Sequence, residues 1–301
     1  MNTHAALHRT GSGGPTPARI ATWPFVFAAI ISLAGIILSY RFFVNTTTGQ
    51  FFDESALVEA AVAQSKIGVQ TAKVLDLLPV TSLVIALVMV LFVTLARRRW
   101  KAAGIALAAM VAANLSTQLI KAGLPDRPDL GVPTLALNSL PSGHSTLAAS
   151  AAAAVFLVVS PRWRPAAAFV GGSYAVLAGI STLINQWHRP ADVLAAFFVV
   201  AFWTSLGALA VMRTGPSWNV WLGSHMHWAS ARGWVLTTAI LTLLSGLAVA
   251  LLVWQLSAPA ATSTTKYFLA GVGQIVVGGY GLTVAGTLLL TLPVRRRSKR
   301  S

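Results

Sequence analysis

Eight stretches of predominantly apolar residues dominate the 301-residue chain, each near the roughly 20 residues a helix needs to cross a bilayer's hydrocarbon core. They lie near 22–43, 75–96, 102–120, 144–160, 165–184, 191–212, 233–256 and 267–292. Within lipid a backbone must satisfy its own hydrogen bonds, so only helices and closed barrels can span. The runs are continuously apolar and do not alternate, which excludes an outer-membrane barrel. The expected fold class is therefore all-α and integral to the membrane. The fourth stretch is short, and its run from Ala148 to Ala154 is only weakly hydrophobic. The first is longer than the apolar core of a signal peptide, about 7–15 residues, and reads as a retained span. Charged residues make up 10% of the chain, against roughly 25% in soluble domains, which argues against an ordinary soluble enzyme. The absence of cysteine excludes a disulfide scaffold, a cysteine-ligated zinc site and a thiol nucleophile.

An even number of spans puts both termini on one side, and the positive-inside rule says which. With residues 1–21 in the cytoplasm, fifteen of the 22 Lys and Arg residues fall inside, and all seven acids fall outside with the other seven bases. The formal net charge of +15 thus belongs to the cytoplasmic face. The clusters Arg97–Lys101 and Arg295–Arg300 read as topology signals attracted to anionic inner-leaflet lipid, not as a nucleic-acid surface. Most tryptophans fall near span ends, as an interfacial aromatic belt requires. Residues 1–21 read as a flexible tail, 213–232 as a cytoplasmic interfacial loop and 293–301 as a basic tail. Residues 51–73, with Asp53 and Glu54, read as an outer loop containing an interfacial helix.

No span carries Asp, Glu, Lys, Arg or His at its middle, which counts against an ion-coupled transporter. The ionisable residues gather in two outer loops of the same parity, 121–143 and 185–190. The first begins at Lys121, passes Arg127-Pro128 and ends in Pro141-Ser142-Gly143-His144. Pro141 stops any preceding helix, Ser142 can cap the new one, and Gly143 permits close backbone approach. The unpaired N–H groups of a helix N-terminus suit an anion such as phosphate, with His144 beside it as a proton donor. An ordinary serine cap with an interfacial histidine fits the same residues. His188 and Asp192, four apart, share one face if the helix begins before His188. The carboxylate would then fix the tautomer and leave the other ring nitrogen as a nucleophile. A surface histidine followed by a dipole-favoured aspartate is the plainer alternative. His225 and His227 on the opposite side read as interfacial, and His4 and His8 have no visible partners.

Taken together, these segments resemble the membrane branch of the type 2 phosphatidic acid phosphatase and vanadium haloperoxidase superfamily. Its signatures are Lys-x6-Arg-Pro, Pro-Ser-Gly-His and Ser-Arg-x5-His-x3-Asp. Pro141-Ser142-Gly143-His144 matches in full, and Ser181, His188 and Asp192 match the third signature in spacing. The resemblance covers the first six spans, residues 22–212, as a six-helix phosphatase core, and leaves 233–292 as two additional C-terminal transmembrane helices. It implies that His188 attacks phosphorus, His144 protonates the leaving oxygen and Asp192 orients His188. Lys121, Arg127, Ser142 and Gly143 would hold the phosphoryl oxygens, with no metal and no cofactor. Two positions depart from the pattern. Lys121 and Arg127 are separated by five residues rather than six, and Thr182 stands where the family has a phosphate-binding arginine. Arg189 can compensate or can snorkel to lipid headgroups, and snorkelling is the expectation. The resemblance implies a lipid phosphate phosphatase of the cell membrane acting on its extracytoplasmic face. A lipid phosphotransferase, or a lipid-phosphate binding protein that has lost turnover, are the alternatives.

Overall fold

In a computed structural model, described for residues 20–215, 219, 228, 232–256 and 265–291, the apolar runs become eight α-helices. These are α1 (Trp23–Phe43), α2 (Thr47–Arg97), α3 (Trp100–Gly123), α4 (Gly143–Val158), α5 (Arg164–Ile184), α6 (Pro190–Thr214), α7 (Arg232–Leu256) and α8 (Lys266–Thr291), with one 3₁₀ turn at Pro161–Trp163. The described residues contain no strand. Seven of the helices are long and apolar enough to cross a membrane. The tails 1–19 and 292–301, with His4 and His8, lie outside the described residues, as do His225, His227 and most of the 213–232 loop.

Two of the expected spans differ from the sequence reading. The second is the end of a 51-residue helix, because the 51–73 segment is not a separate interfacial helix but the first half of α2. Thr46 starts it, accepting a hydrogen bond from Gly49 N at 3.0 Å. A Cβ at Gly49 would collide with the carbonyl of Phe42, so the α1–α2 corner requires glycine there. The helix stops at Arg98, which adopts the left-handed region at φ 52°. The fourth span is the 16-residue α4, about 24 Å long and shorter than the roughly 30 Å hydrocarbon core. It need not face lipid, because it packs against α2, α3, α5 and α6.

That central place explains the alanine run. Ala148, Ala151 and Ala154 are buried, and small side chains let helices approach closely where lipid supplies no hydrophobic drive. Short polar bridges tie the same layer together. Asn114 Nδ2 donates to Ser150 Oγ at 2.9 Å, Thr117 and Thr146 hydroxyls meet at 2.9 Å, and Trp203 Nε1 donates to Ser116 Oγ at 2.9 Å. Outside this layer α1 packs on α6, and α8 packs on α5, α6 and α2. The α8 contact is close. A Cβ at Gly279 would strike Val176, and one at Gly271 would strike Pro190 at the start of α6. This helix, one of the two expected beyond the six-span core, touches that core at the start of α6. α7 packs mainly on α8 and leaves Leu243, Leu247 and Trp254 exposed.

Candidate active site

The outer loops meet where α4 and α6 begin. Ser142 N donates to Asp192 O at 2.9 Å, which joins the two helix starts directly. Ser142 caps α4 as its sequence suggests, its Oγ accepting from Ser145 N at 3.3 Å. Gly143 is the first residue of that helix. His144 follows, half-buried, its ring 5.3 Å from the ring of Trp187.

His188 and Asp192 are paired, though not along a helix face. α6 starts at Pro190 with Arg189 as its cap, so His188 lies in the preceding turn. That turn is fixed by Trp187 N and His188 N, both donating to Thr182 O, and by Gln186 in the left-handed region at φ 58°. His188 Nδ1 lies 3.3 Å from Asp192 Oδ2, and both side chains are buried. A carboxylate can only accept, so in the neutral ring Nδ1 carries the proton and Nε2 keeps its lone pair. Asp192 Oδ2 also accepts from Ser139 Oγ at 2.5 Å and from Arg189 N at 3.1 Å. With these donors in addition to His188, the aspartate is held rigidly.

Arg127 sits fully buried between two carboxylates. Its Nη2 is 3.3 Å from Asp53 Oδ2 and 3.9 Å from Asp192 Oδ1. Its Nε and Nη1 are buried with no hydrogen-bond partner. Lys121 stands in the last turn of α3, near enough for Asp192 to act on its charge. Lys121, Arg127, Ser142, Gly143, His144, His188 and Asp192 thus gather at one end of the bundle.

Arg189 does not snorkel. It is 3% exposed and donates through Nε to Glu54 Oε2 at 2.7 Å, through Nη2 to Thr134 Oγ1 at 2.8 Å and through Nη1 to Ser139 Oγ at 3.2 Å. Three donors of the guanidinium are thereby taken up inside the protein. Thr182 is buried too, and its hydroxyl donates to Gly179 O at 2.7 Å within its own helix.

Asp53 and Glu54 are the site residues to which the sequence reading gave no role. Both stand in the part of α2 that precedes its apolar stretch. Burial, and after it the Asp192 carboxylate, raise the Asp53 carboxyl above the usual carboxylate range, while Arg127 opposes the shift. A signal was present in the charge pattern. Two arginines in loops that become buried need anionic partners, because an unpaired buried charge is costly. The acids all fall on that side.

The geometry defines an all-helical integral membrane protein with a buried histidine–carboxylate pair, a second histidine and two cations at the mouth of a helix N-terminus. Residues 116–215 match the family model described as the PAP2 superfamily, so the resemblance to type 2 phosphatidic acid phosphatases is borne out over this segment. The superfamily generally comprises phosphatases, and the match supports a phosphatase-like function in general. No curated protein and no solved structure matches the chain significantly. Asp53, Glu54, α7 and α8 lie outside the matched segment.

Proposed function

We propose that the protein hydrolyses the phosphomonoester or diphosphate of a membrane lipid through a phosphohistidine, on the extracytoplasmic face of the cell membrane. The observation that carries this reading is His188, whose Nδ1 is bound to Asp192 at 3.3 Å while Nε2 is left as a lone-pair nucleophile. Nε2 attacks phosphorus and the bond to the lipid oxygen breaks. His144 donates its proton to that leaving oxygen. A water then attacks the phosphohistidine, giving up a proton to His144 and restoring His188. The buried unpartnered Nε and Nη1 of Arg127, the charge of Lys121, Ser142 and the Gly143 amide hold the phosphoryl oxygens and the charge that develops on them.

A second reading draws support from Arg189 and Thr182. Both are committed to protein partners, so the phosphoryl group keeps fewer cations than the family pattern supplies. That favours slow turnover, and in the limit a lipid-phosphate binding protein. One experiment separates the readings: phosphate release by the purified protein over a panel of phosphatidate-like, phosphatidylglycerophosphate-like and polyprenyl phosphates, with His188→Ala as control. Sustained release lost in His188→Ala supports the enzyme. Stoichiometric binding without release supports the binder. Release that persists in His188→Ala overturns the mechanism. Adding alcohol acceptors to the same assay detects transfer in place of hydrolysis.

A further inference from the structure

The second turn of α2 places two adjacent carboxylates on the two loops that carry the site. Asp53 Oδ1 accepts from Ala191 N at 2.9 Å, in the first turn of α6. Its Oδ2 takes Arg127 Nη2 at 3.3 Å, with both side chains fully buried. One turn earlier, Gln50 Nε2 donates to Pro128 O at 3.0 Å, the carbonyl next to Arg127. One aspartate therefore spans from Arg127 to the helix start that carries Asp192. Arg127 is left half-satisfied, with Nε and Nη1 buried and unpartnered. Unmet buried donors are expensive, and an anion in the site would meet them.

We propose that Asp53 is a positioning residue for the phosphoryl site: it holds Arg127 by Nη2 so that Nε and Nη1 are presented to the phosphoryl oxygens, and through Ala191 it fixes the turn bearing His188 and Asp192. The inference rests on the phosphoryl-transfer reading above and extends the site beyond residues 116–215, to the first half of α2. It runs against simple electrostatics. A carboxylate that merely lay near the site would repel phosphate, and removing its charge would tighten binding. A carboxylate that positions Arg127 has the opposite effect.

The test uses the full-length protein in detergent and orthophosphate as probe, with binding followed by titration calorimetry and folding by thermal unfolding. Asp53→Asn keeps an oxygen for Ala191 N and loses the charge. Binding should weaken by about tenfold or more, the scale of one charge-assisted hydrogen bond, while the variant still unfolds in one cooperative transition, at a midpoint lowered by the loss of a buried charge partner. In an Arg127→Ala background, Asp53→Asn should add almost nothing, because the two residues act through each other. If the asparagine variant does not fold, Asp53→Glu, which keeps the charge but displaces it along a longer arm and so moves Arg127, should weaken binding in the same direction. Unchanged or tighter binding, or losses that add independently, overturns the proposal. A wild type that binds no orthophosphate overturns both the proposal and the site. If the wild type releases no phosphate from any lipid yet the cycle is coupled, the enzymatic reading falls and the role of Asp53 stands. If release is robust and Asp53→Asn leaves both binding and turnover unchanged, the reverse holds.

Discussion

Arg189 Nε and Glu54 Oε2 lie 2.7 Å apart, linking the loop that carries His188 to a helix more than a hundred residues earlier in the chain. The guanidinium is spent on this link and on Thr134 and Ser139, so it is a brace between loops and not a spare phosphate ligand. Arg189→Ala should therefore act on stability first. Removing one partner of a buried pair costs about 3–5 kcal/mol, and the unfolding midpoint should drop clearly. Glu54→Gln, which keeps an acceptor for Nε, should lose less. Thermal unfolding of the two variants checks the order, and an Arg189→Ala protein as stable as the wild type would remove the brace.

The position that departs from the family pattern gives a related test. Thr182 is fully buried and hydrogen-bonded to its own helix. Restoring an arginine there forces a long charged side chain into packed space, where overpacking alone costs about 1–3 kcal/mol. Thr182→Arg should lower both the unfolding midpoint and phosphate release. A rise in kcat/KM would mean that the pocket opens toward position 182 and that the family's missing donor can be put back.

The roles of the two histidines separate by leaving group. On the proposed mechanism His188→Ala removes the nucleophile and should abolish release with every substrate. His144→Ala removes the proposed general acid, and turnover should fall about 10²–10⁴-fold. An aryl phosphate whose leaving oxygen needs no proton should recover much of the loss in His144→Ala and none in His188→Ala. Equal rescue of both variants would reverse or erase the assignment.

How much of this was legible in the sequence depends on distance along the chain. Spans of continuous apolar residues announce themselves, and the expected fourth to seventh spans closely match α4, α5, α6 and α7, helped by local signals such as Ser142 and Pro190. The His188–Asp192 pair was legible from its four-residue spacing, although a cap geometry and not a helix face brings the two together. Asp53 and Glu54 were not legible as site residues. Their partners Arg127 and Arg189 lie 74 and 135 positions away, and no periodicity carries that information. Reading Arg189 as a snorkelling side chain failed for the same reason, since its acceptors come from α2 and the 121–143 loop. The first half of α2 looked like a loop because its polar residues interrupt the apolar run. Tertiary partners absorb them instead: Gln64 Nε2 bonds Asn185 O and Glu59 accepts from Phe268 N.

The charge asymmetry predicts the sidedness, and labelling can read it. The chain has no cysteine, so single substitutions report cleanly. Leu137, in the loop before α4, is 73% exposed, and Arg162, between α4 and α5, is also exposed. In intact cells an impermeant thiol reagent should label Leu137→Cys and leave Arg162→Cys untouched until the membrane is permeabilised. The opposite pattern would put the site in the cytoplasm, and labelling of both would break the arrangement in which α4 separates two compartments.

Gly143 offers the sharpest separation of folding from chemistry. A methyl group built on it would meet only Gln118 Nε2 at 3.8 Å, an ordinary contact, and its φ is not in the left-handed region. Gly143→Ala should thus be tolerated by the empty protein. It should even stabilise by about 0.4–1 kcal/mol, because alanine restricts the unfolded chain. The catalytic consequence has the other sign. If a phosphoryl oxygen seats against the Gly143 amide at the start of α4, a Cβ there crowds it and blocks the close approach glycine permits. Turnover and orthophosphate affinity should each fall, by about tenfold if one charge-assisted hydrogen bond is lost, while the unfolding midpoint holds or rises. A destabilised Gly143→Ala would show that the helix start is packed more tightly than its surroundings indicate. A stable variant with wild-type turnover would mean that the phosphoryl group does not sit at this amide, and the anion would have to be sought nearer Lys121.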